Sequence, residues 1–252
     1  MIIMKKIKTL GIFDSGLGGY SVYQYLKQHL DPVSLVLYAD QKNAPYGNQS
    51  DDAIIAYTLH AMKWFQDHDI RDVVIACNTV SAVALSTARN HFPDMNLIGI
   101  IELTVGQIEP NADTCVGIVS TLATFNAHAY RNFIHEKGPI HVKELALPEL
   151  VNIIEGLNQN LKLDTYLENE LKPILESTDL ILGCTHYPLV HDAFRKIYKG
   201  QIHDSRRPIC EYVAMNYEFL RSSCQTFTTG DAQKMERQIK RLFDSIEKVE
   251  TI

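Results

Sequence analysis

A chain of 252 residues is long enough to bury a substantial core, as one large domain or two small ones. Its 46% apolar and 21% charged residues are the balance of an ordinary globular protein, without the run of about eighteen apolar residues that marks a membrane span. A formal net charge of −6 argues against nucleic-acid binding, and an anionic ligand would have to be held by local dipoles and hydrogen bonds.

The opening residues 1–6 carry their lysines after the apolar residues, the wrong order for a secretory leader, so the protein is expected in the cytoplasm. The first β-rich run, residues 10–13, ends on Asp14 and Ser15 and is followed by Gly16, Gly18 and Gly19. A second run covers 35–38. Ser50 caps a helix whose apolar positions are Ile55, Leu59 and Met62. Residues 73–76 run into Cys77, and 97–101 follow the break at Pro93. A second series of strands is expected at 116–119, 140–145, 180–183 and 202–204. It alternates with helical spacing at Phe125, Ala129, Phe133 and at Leu163, Leu167, Leu171, the first stopped by Gly138-Pro139. Pro188 and Pro208 sit where a first helical turn would begin. The chain closes with a helix over about 208–222, the run 226–231, and an amphipathic helix presenting Met235, Ile239, Leu242 and Ile246, expected to pack back on the first unit.

The two series match in register. The run Gly11-Ile12-Phe13-Asp14-Ser15 is echoed by Gly117-Ile118-Val119-Ser120-Thr121, an offset of 106. The run Val73-Val74-Ile75-Ala76-Cys77-Asn78-Thr79 is echoed by Leu180-Ile181-Leu182-Gly183-Cys184-Thr185-His186, an offset of 107. Alternating strand and helix with such a repeat predicts an α/β fold of two pseudo-symmetric three-layer α/β/α domains with mainly parallel sheets. Residues 1–98 with 208–252 would form the first and 99–207 the second, with the active site in the cleft between them.

Ligands of open parallel sheets bind beyond the carboxyl ends of the strands. Cys77 and Cys184 fall there, each expected to precede a helix whose free N–H groups attract anions and lower a thiol's pKa. Asp14 and His186 are placed to handle protons around them. Inverting a weakly acidic α-carbon needs a base on one face and an acid on the other, in a cleft that excludes water. Two cysteines from pseudo-symmetric units suit that task. The other three cysteines, Cys115, Cys210 and Cys224, lack such a setting and read as small core hydrophobes. An odd number of cysteines without a leader does not suggest a disulfide framework. Cys184 with His186 is at most half of a metal site, so no metal is expected. Asp14 could instead cap its turn, and His186 could be a core histidine.

The stretches Gly11-Ile12-Phe13-Asp14-Ser15-Gly16-Leu17-Gly18-Gly19, Asp40 with Pro45-Tyr46-Gly47, Ala76-Cys77-Asn78-Thr79, Gly183-Cys184-Thr185-His186-Tyr187-Pro188 and Thr228-Thr229-Gly230-Asp231 resemble the glutamate racemase family, within the wider aspartate/glutamate racemase group. They lie in family order and cover nearly the whole chain. The resemblance implies a pyridoxal-free, cofactor-independent enzyme interconverting L- and D-glutamate, supplying D-glutamate for peptidoglycan. It implies that Cys77 deprotonates the D-isomer and Cys184 the L-isomer, with Asp14 assisting the first thiol and His186 the second. Asp14, Ser15, Pro45, Tyr46, Gly47, Asn78, Thr79, Thr121, Thr124, Thr185 and His186 then match substrate-contacting positions, and Glu155 matches a glutamate near the cleft. A homodimer is expected on the same ground. Ala127 and Leu147 depart from the residues many members carry, and the N-terminus lacks the extension through which some respond to a peptidoglycan precursor, so that regulation is not expected.

The nearest alternative is an aspartate racemase. A more distant one is a cysteine hydrolase or amidase using Cys184 with His186, which leaves Cys77 without a task. A binding module that kept the cleft would have no use for both thiols.

Overall fold

The computed structural model describes residues 4–111 and 113–252; residues 1–3 of the stretch read above for a leader lie outside them. The strands are β1 (Lys5–Ile7), β2 (Leu10–Asp14), β3 (Ser34–Ala39), β4 (Asp72–Ile75), β5 (Asn96–Gly99) and β6 (Cys115–Ser120). They continue with β7 (His141–Ala146), β8 (Asp179–Gly183), β9 (Gln201–His203), β10 (Tyr217–Phe219), β11 (Ser223–Thr228) and β12 (Val249–Thr251). Six of them build one sheet in the order β12-β11-β3-β2-β4-β5, four build a second in the order β7-β6-β8-β9, and β1 pairs with β10. The pairings in both sheets are parallel, so the chain returns through helices after each strand.

The sequence repeat is a repeat of hydrogen-bond register. Gly11 lies opposite Val73 in the large sheet, and their counterparts Gly117 and Leu180 lie opposite each other in the small one. Leu10 opposite Leu35 is matched in the same way by Val116 opposite Val142. The four strands β3-β2-β4-β5 therefore reappear as β7-β6-β8-β9, and the large sheet adds β11 and β12 beyond β3. This is an α/β fold of two parallel-sheet units.

Both faces of both sheets are buried, as parallel strands with continuous apolar runs require. In the large sheet Phe13, Val36, Val73 and Ile75 face one cluster with Phe65 and Met62 of the helix Asp51–Asp67. That helix starts where Ser50 Oγ accepts the N–H of Ala53. The opposite face, with Leu10, Ile12, Leu37 and Val74, shares a single cluster with Val116, Ile118 and Ile181 of the small sheet. The helices Gly19–His29, Ala129–Glu136 and Arg206–Asn216 contribute Tyr20, Ile134 and Ile209 to it. The outer face of the small sheet closes over Leu180 and Leu182 with Leu167, Leu171 and Phe194. No helix among the described residues is long and apolar enough to cross a membrane.

Four expectations need correction. The strand expected at 97–101 stops at Gly99, and Ile100 opens the helix Ile100–Val105; both segments are buried, so apolar character did not mark the switch. The helical spacing through Phe125, Ala129 and Phe133 is divided at His128, whose φ of 49° separates Leu122–Asn126 from Ala129–Glu136. The helix expected over 208–222 is Arg206–Asn216; Tyr217 and Phe219 then alternate with exposed Glu218 in β10. The last helix ends at Phe243 before left-handed Asp244, which leaves Ile246 outside it and 89% exposed. Its Met235 and Ile239 enter the shared cluster, and Phe243 packs edge-on against Tyr20 at 4.9 Å.

Candidate active site

The carboxyl ends of β2, β4 and β8 meet across the two units. Cys77 follows β4 and caps the helix Asn78–Val83; Cys184 follows β8. Both thiols are nearly sealed, 5% and 7% exposed, and both line one cavity of about 50 Å³. That is several times what a single water needs, and it suits a small molecule in a site that excludes bulk solvent. Ser15, Pro45, Tyr46, Gly47, Asn78, Thr79, Thr121, Thr185, His186 and Glu155 line the same cavity. Asp14, 1% exposed, and Thr124, 2% exposed, stand behind its wall.

Each unit reaches into the other. Thr185 donates to Asp14 Oδ2 at 3.2 Å, and Ser21 Oγ donates to the carbonyl of Thr185 at 2.9 Å. Thr79, Thr121 and Thr124 form a triangle of hydroxyls, with Oγ1 separations of 2.9, 3.4 and 3.0 Å. Gly47 lets its loop reach that triangle, because a Cβ there would lie 2.9 Å from Thr121 Cβ. Tyr46 is aimed by Asp40, whose Oδ2 accepts its hydroxyl at 2.5 Å while Oδ1 accepts Thr229 Oγ1 at 2.6 Å. The stretches around Asp40 and Thr229 thus serve one polar hub that fixes the loop. Asn78 Oδ1 accepts Tyr130's hydroxyl at 2.5 Å, whereas its Nδ2 is buried with no partner among the described residues. A buried unpaired N–H is costly unless an acceptor arrives, and a carboxylate would supply one.

The surroundings of the two sulfurs differ. Cys77 Sγ lies 3.3 Å from Ser15 Oγ. Burial, then the negative charge of Asp14, push its thiol up to about 12 against the pull of Ser15 and the Val80 N–H. The helix start alone predicts a lowered thiol at Cys77; desolvation outweighs it, and the direction is upward. Asp14 is also raised, by burial first, against the charge of His186, the N–H groups of Gly16 and Gly19 and the Thr185 hydroxyl. The side chain in hydrogen-bond contact with Cys77 is Ser15, not Asp14.

Cys184 Sγ lies 4.0 Å from His186 Nδ1, and His186 Nε2 lies 2.8 Å from Glu155 Oε1. Burial opposes charge on the ring, but its contacts with Cys184 and Glu155 prevail and raise it to about 10. Glu155 moves the other way: burial pushes it up, yet His186, Lys234 and Arg241 hold it below the usual range. Cys184 is followed by a turn and the 3₁₀ segment Tyr187–Val190 rather than directly by an α-helix, which begins only at His191. Among the described residues, no group of three or more His, Cys, Asp or Glu is arranged to hold a metal ion. Sequence reasoning missed Gln238 and Arg241, which reach Glu155 from the last helix, and Gln41, which holds Gln238 from the other side; none of them has a local motif.

The raised His186 makes its protonation favour the fold. That contribution is fully present below the ordinary 6.5 and is lost as pH rises through about 10. Denaturant titrations at about pH 6 and about pH 10 are expected to show a larger stability loss for the wild type than for His186→Gln. Equal losses would remove the charged pair from the account.

The duplicated parallel sheets, with one pocket at the carboxyl ends of their strands, are those of an amino-acid racemase. The chain belongs to the Asp/Glu/Hydantoin racemase family, whose model matches residues 18–207. Among its relatives, the glutamate racemase of Sulfurovum sp. (strain NBC37-1) is 34% identical over 77% of this chain and 76% of its own. The glutamate racemase of Lactobacillus helveticus is 32% identical over 93% and 92%. The structure of glutamate racemase from Francisella tularensis in complex with D-glutamate superposes with a TM-score of 0.87, at 25% identity, over 97% of each chain.

Proposed function

We propose that this chain interconverts L- and D-glutamate without a cofactor, one cysteine taking the α-proton and the other returning a proton to the opposite face. The observation that carries the reading is the lining of a single cavity by Cys77 and Cys184, from corresponding positions of the two repeats. In this reading Cys77 serves the D-isomer with Ser15 beside it and Asp14 behind. Cys184 serves the L-isomer, with His186 passing the proton and Glu155 orienting the ring. The free Nδ2 of Asn78 and the hydroxyls of Thr79, Thr121 and Thr185 hold the two carboxylates, which offsets the net negative charge of the protein. Pro45, Tyr46 and Gly47 cover the pocket, and Thr124 braces the threonine triangle.

The division of the chain into residues 1–98 with 208–252, and 99–207, agrees with this layout, since β11 and β12 extend the first sheet. With the activity we propose a cytoplasmic homodimer that supplies D-glutamate for peptidoglycan.

The relatives favour glutamate over aspartate, and a difference of one methylene is worth roughly 10- to 200-fold in discrimination. Incubating the protein with each isomer of both amino acids, with no cofactor added, and following optical activity tests the reading. Glutamate is expected to racemise at least about tenfold faster. Racemisation of aspartate alone, or amide hydrolysis without racemisation, overturns it.

A further inference from the structure

Glu155 is gripped from outside its own unit. On the helix Ala232–Phe243, Lys234, Gln238 and Arg241 recur at helical spacing and share one face. Gln238 Nε2 donates to Glu155 Oε2 at 3.2 Å, while its Oε1 accepts Gln41 Nε2 at 3.1 Å, so the amide is held at both ends. Arg241 Nη2 donates to the backbone carbonyl of Glu155 at 2.6 Å. The other carboxylate oxygen of Glu155 holds His186, whose far nitrogen faces Cys184. The relay Gln41–Gln238–Glu155–His186–Cys184 therefore begins in the large-sheet unit and ends at one thiol only. The polar side chain bonded to Cys77 is Ser15, which lies outside it.

We infer that Gln238 is a positioning residue for the Cys184 half of the reaction, acting through Glu155, with Arg241 fixing the backbone at that residue. The inference rests on the racemase reading above. A carboxylate tied at one oxygen alone can rotate and carry the imidazole with it, and His186 Nδ1 is already 4.0 Å from the sulfur. The Gln238 bond is part-buried, while the Arg241 bond is exposed, so Gln238 has the larger influence.

The test uses Gln238→Leu and Gln238→Glu in the full chain. Gln238→Leu is expected to lower kcat by about tenfold, with KM little changed, because misplacing a catalytic group slows chemistry more than binding. The two enantiomers of glutamate have equal free energies, so kcat/KM must fall equally in both directions. The isotope effects must split. With α-deuterated L-glutamate the effect rises, because Cys184 performs that step. D-glutamate in deuterated water exchanges its α-proton faster relative to its inversion.

Gln238→Glu fills the same space but faces Glu155 with a second carboxylate. It can donate only when protonated, so its rate deficit is expected to narrow as pH falls. The charged groups facing Glu155 are His186, Lys234 and Arg241, and His186 is faced by Cys184 and Asp14. All of these are present in the wild type as well, so a narrowing confined to the variant belongs to the new carboxyl and its pairing with Glu155. Two wild-type-like variants, or uniform slowing with unchanged isotope effects and no pH signature, overturn the inference and leave the racemase reading standing. A wild-type protein inactive on both isomers overturns the two together.

Discussion

Cys184→Ser is expected to lose racemisation by about a thousandfold or more while still exchanging the α-proton of D-glutamate with deuterated water, since removing a general acid or base costs roughly 10²–10⁴. Cys77 remains as the base for that isomer, but no acid stands on the opposite face, so the carbanion takes its proton back from the side it lost it. Cys77→Ser is expected to do the mirror image, exchanging L-glutamate without inverting it. Serine keeps the size and hydrogen bonding of the site but is too weak an acid to form the anion at neutral pH. Proton exchange by mass spectrometry, alongside chiral separation of the same samples, reads both quantities. A hydrolase built on Cys184 and His186 would be indifferent to Cys77. Undiminished racemisation in either serine variant would end the two-base account.

The second large effect is expected at Gly18, where the large-sheet unit touches the turn carrying Cys184. A Cβ there would lie 2.2 Å from Thr185 Oγ1 and 2.5 Å from His186 Nδ1. Thr185 is held by Asp14 and by Ser21, and His186 by Glu155, so neither side chain can give way without breaking a bond that organises the site. Gly18→Ala is expected to cost about 1–3 kcal/mol of stability, as overpacking does. It should also cost at least about a hundredfold in kcat, because displacing His186 separates it from the sulfur. Denaturant midpoints and steady-state rates measured on one preparation check both figures. A variant as fast as the wild type would mean that the turn has more room than its neighbours leave it.

Legibility in the sequence followed the range over which each signal acts. The strands that lead to the two cysteines were readable because parallel strands buried on both faces are apolar runs, and a cysteine follows shortly after both β4 and β8. Ser50 was readable because an N-cap is a one-residue signal, realised in its bond to the Ala53 N–H. The repeat was readable because it preserved register. What stayed hidden depends on distant partners or on one backbone angle. His128 breaks a convincing helical spacing by adopting a positive φ. Burial of Cys77 comes from several elements at once, so a helix start alone suggested the wrong direction for its acidity. Gln238 and Glu155 meet across 83 positions of sequence, and neither residue advertises the other.

The apolar cluster common to both sheets also bears on how such a chain arose. A half-length ancestor with one copy of the four-strand unit would have left Leu10, Ile12 and Leu37, or Val116 and Ile118, bare to water. It could hide them only by pairing with a second copy of itself, back to back. Joining two such copies end to end would turn that pairing into an interior and leave each half free to diverge around its own sulfur.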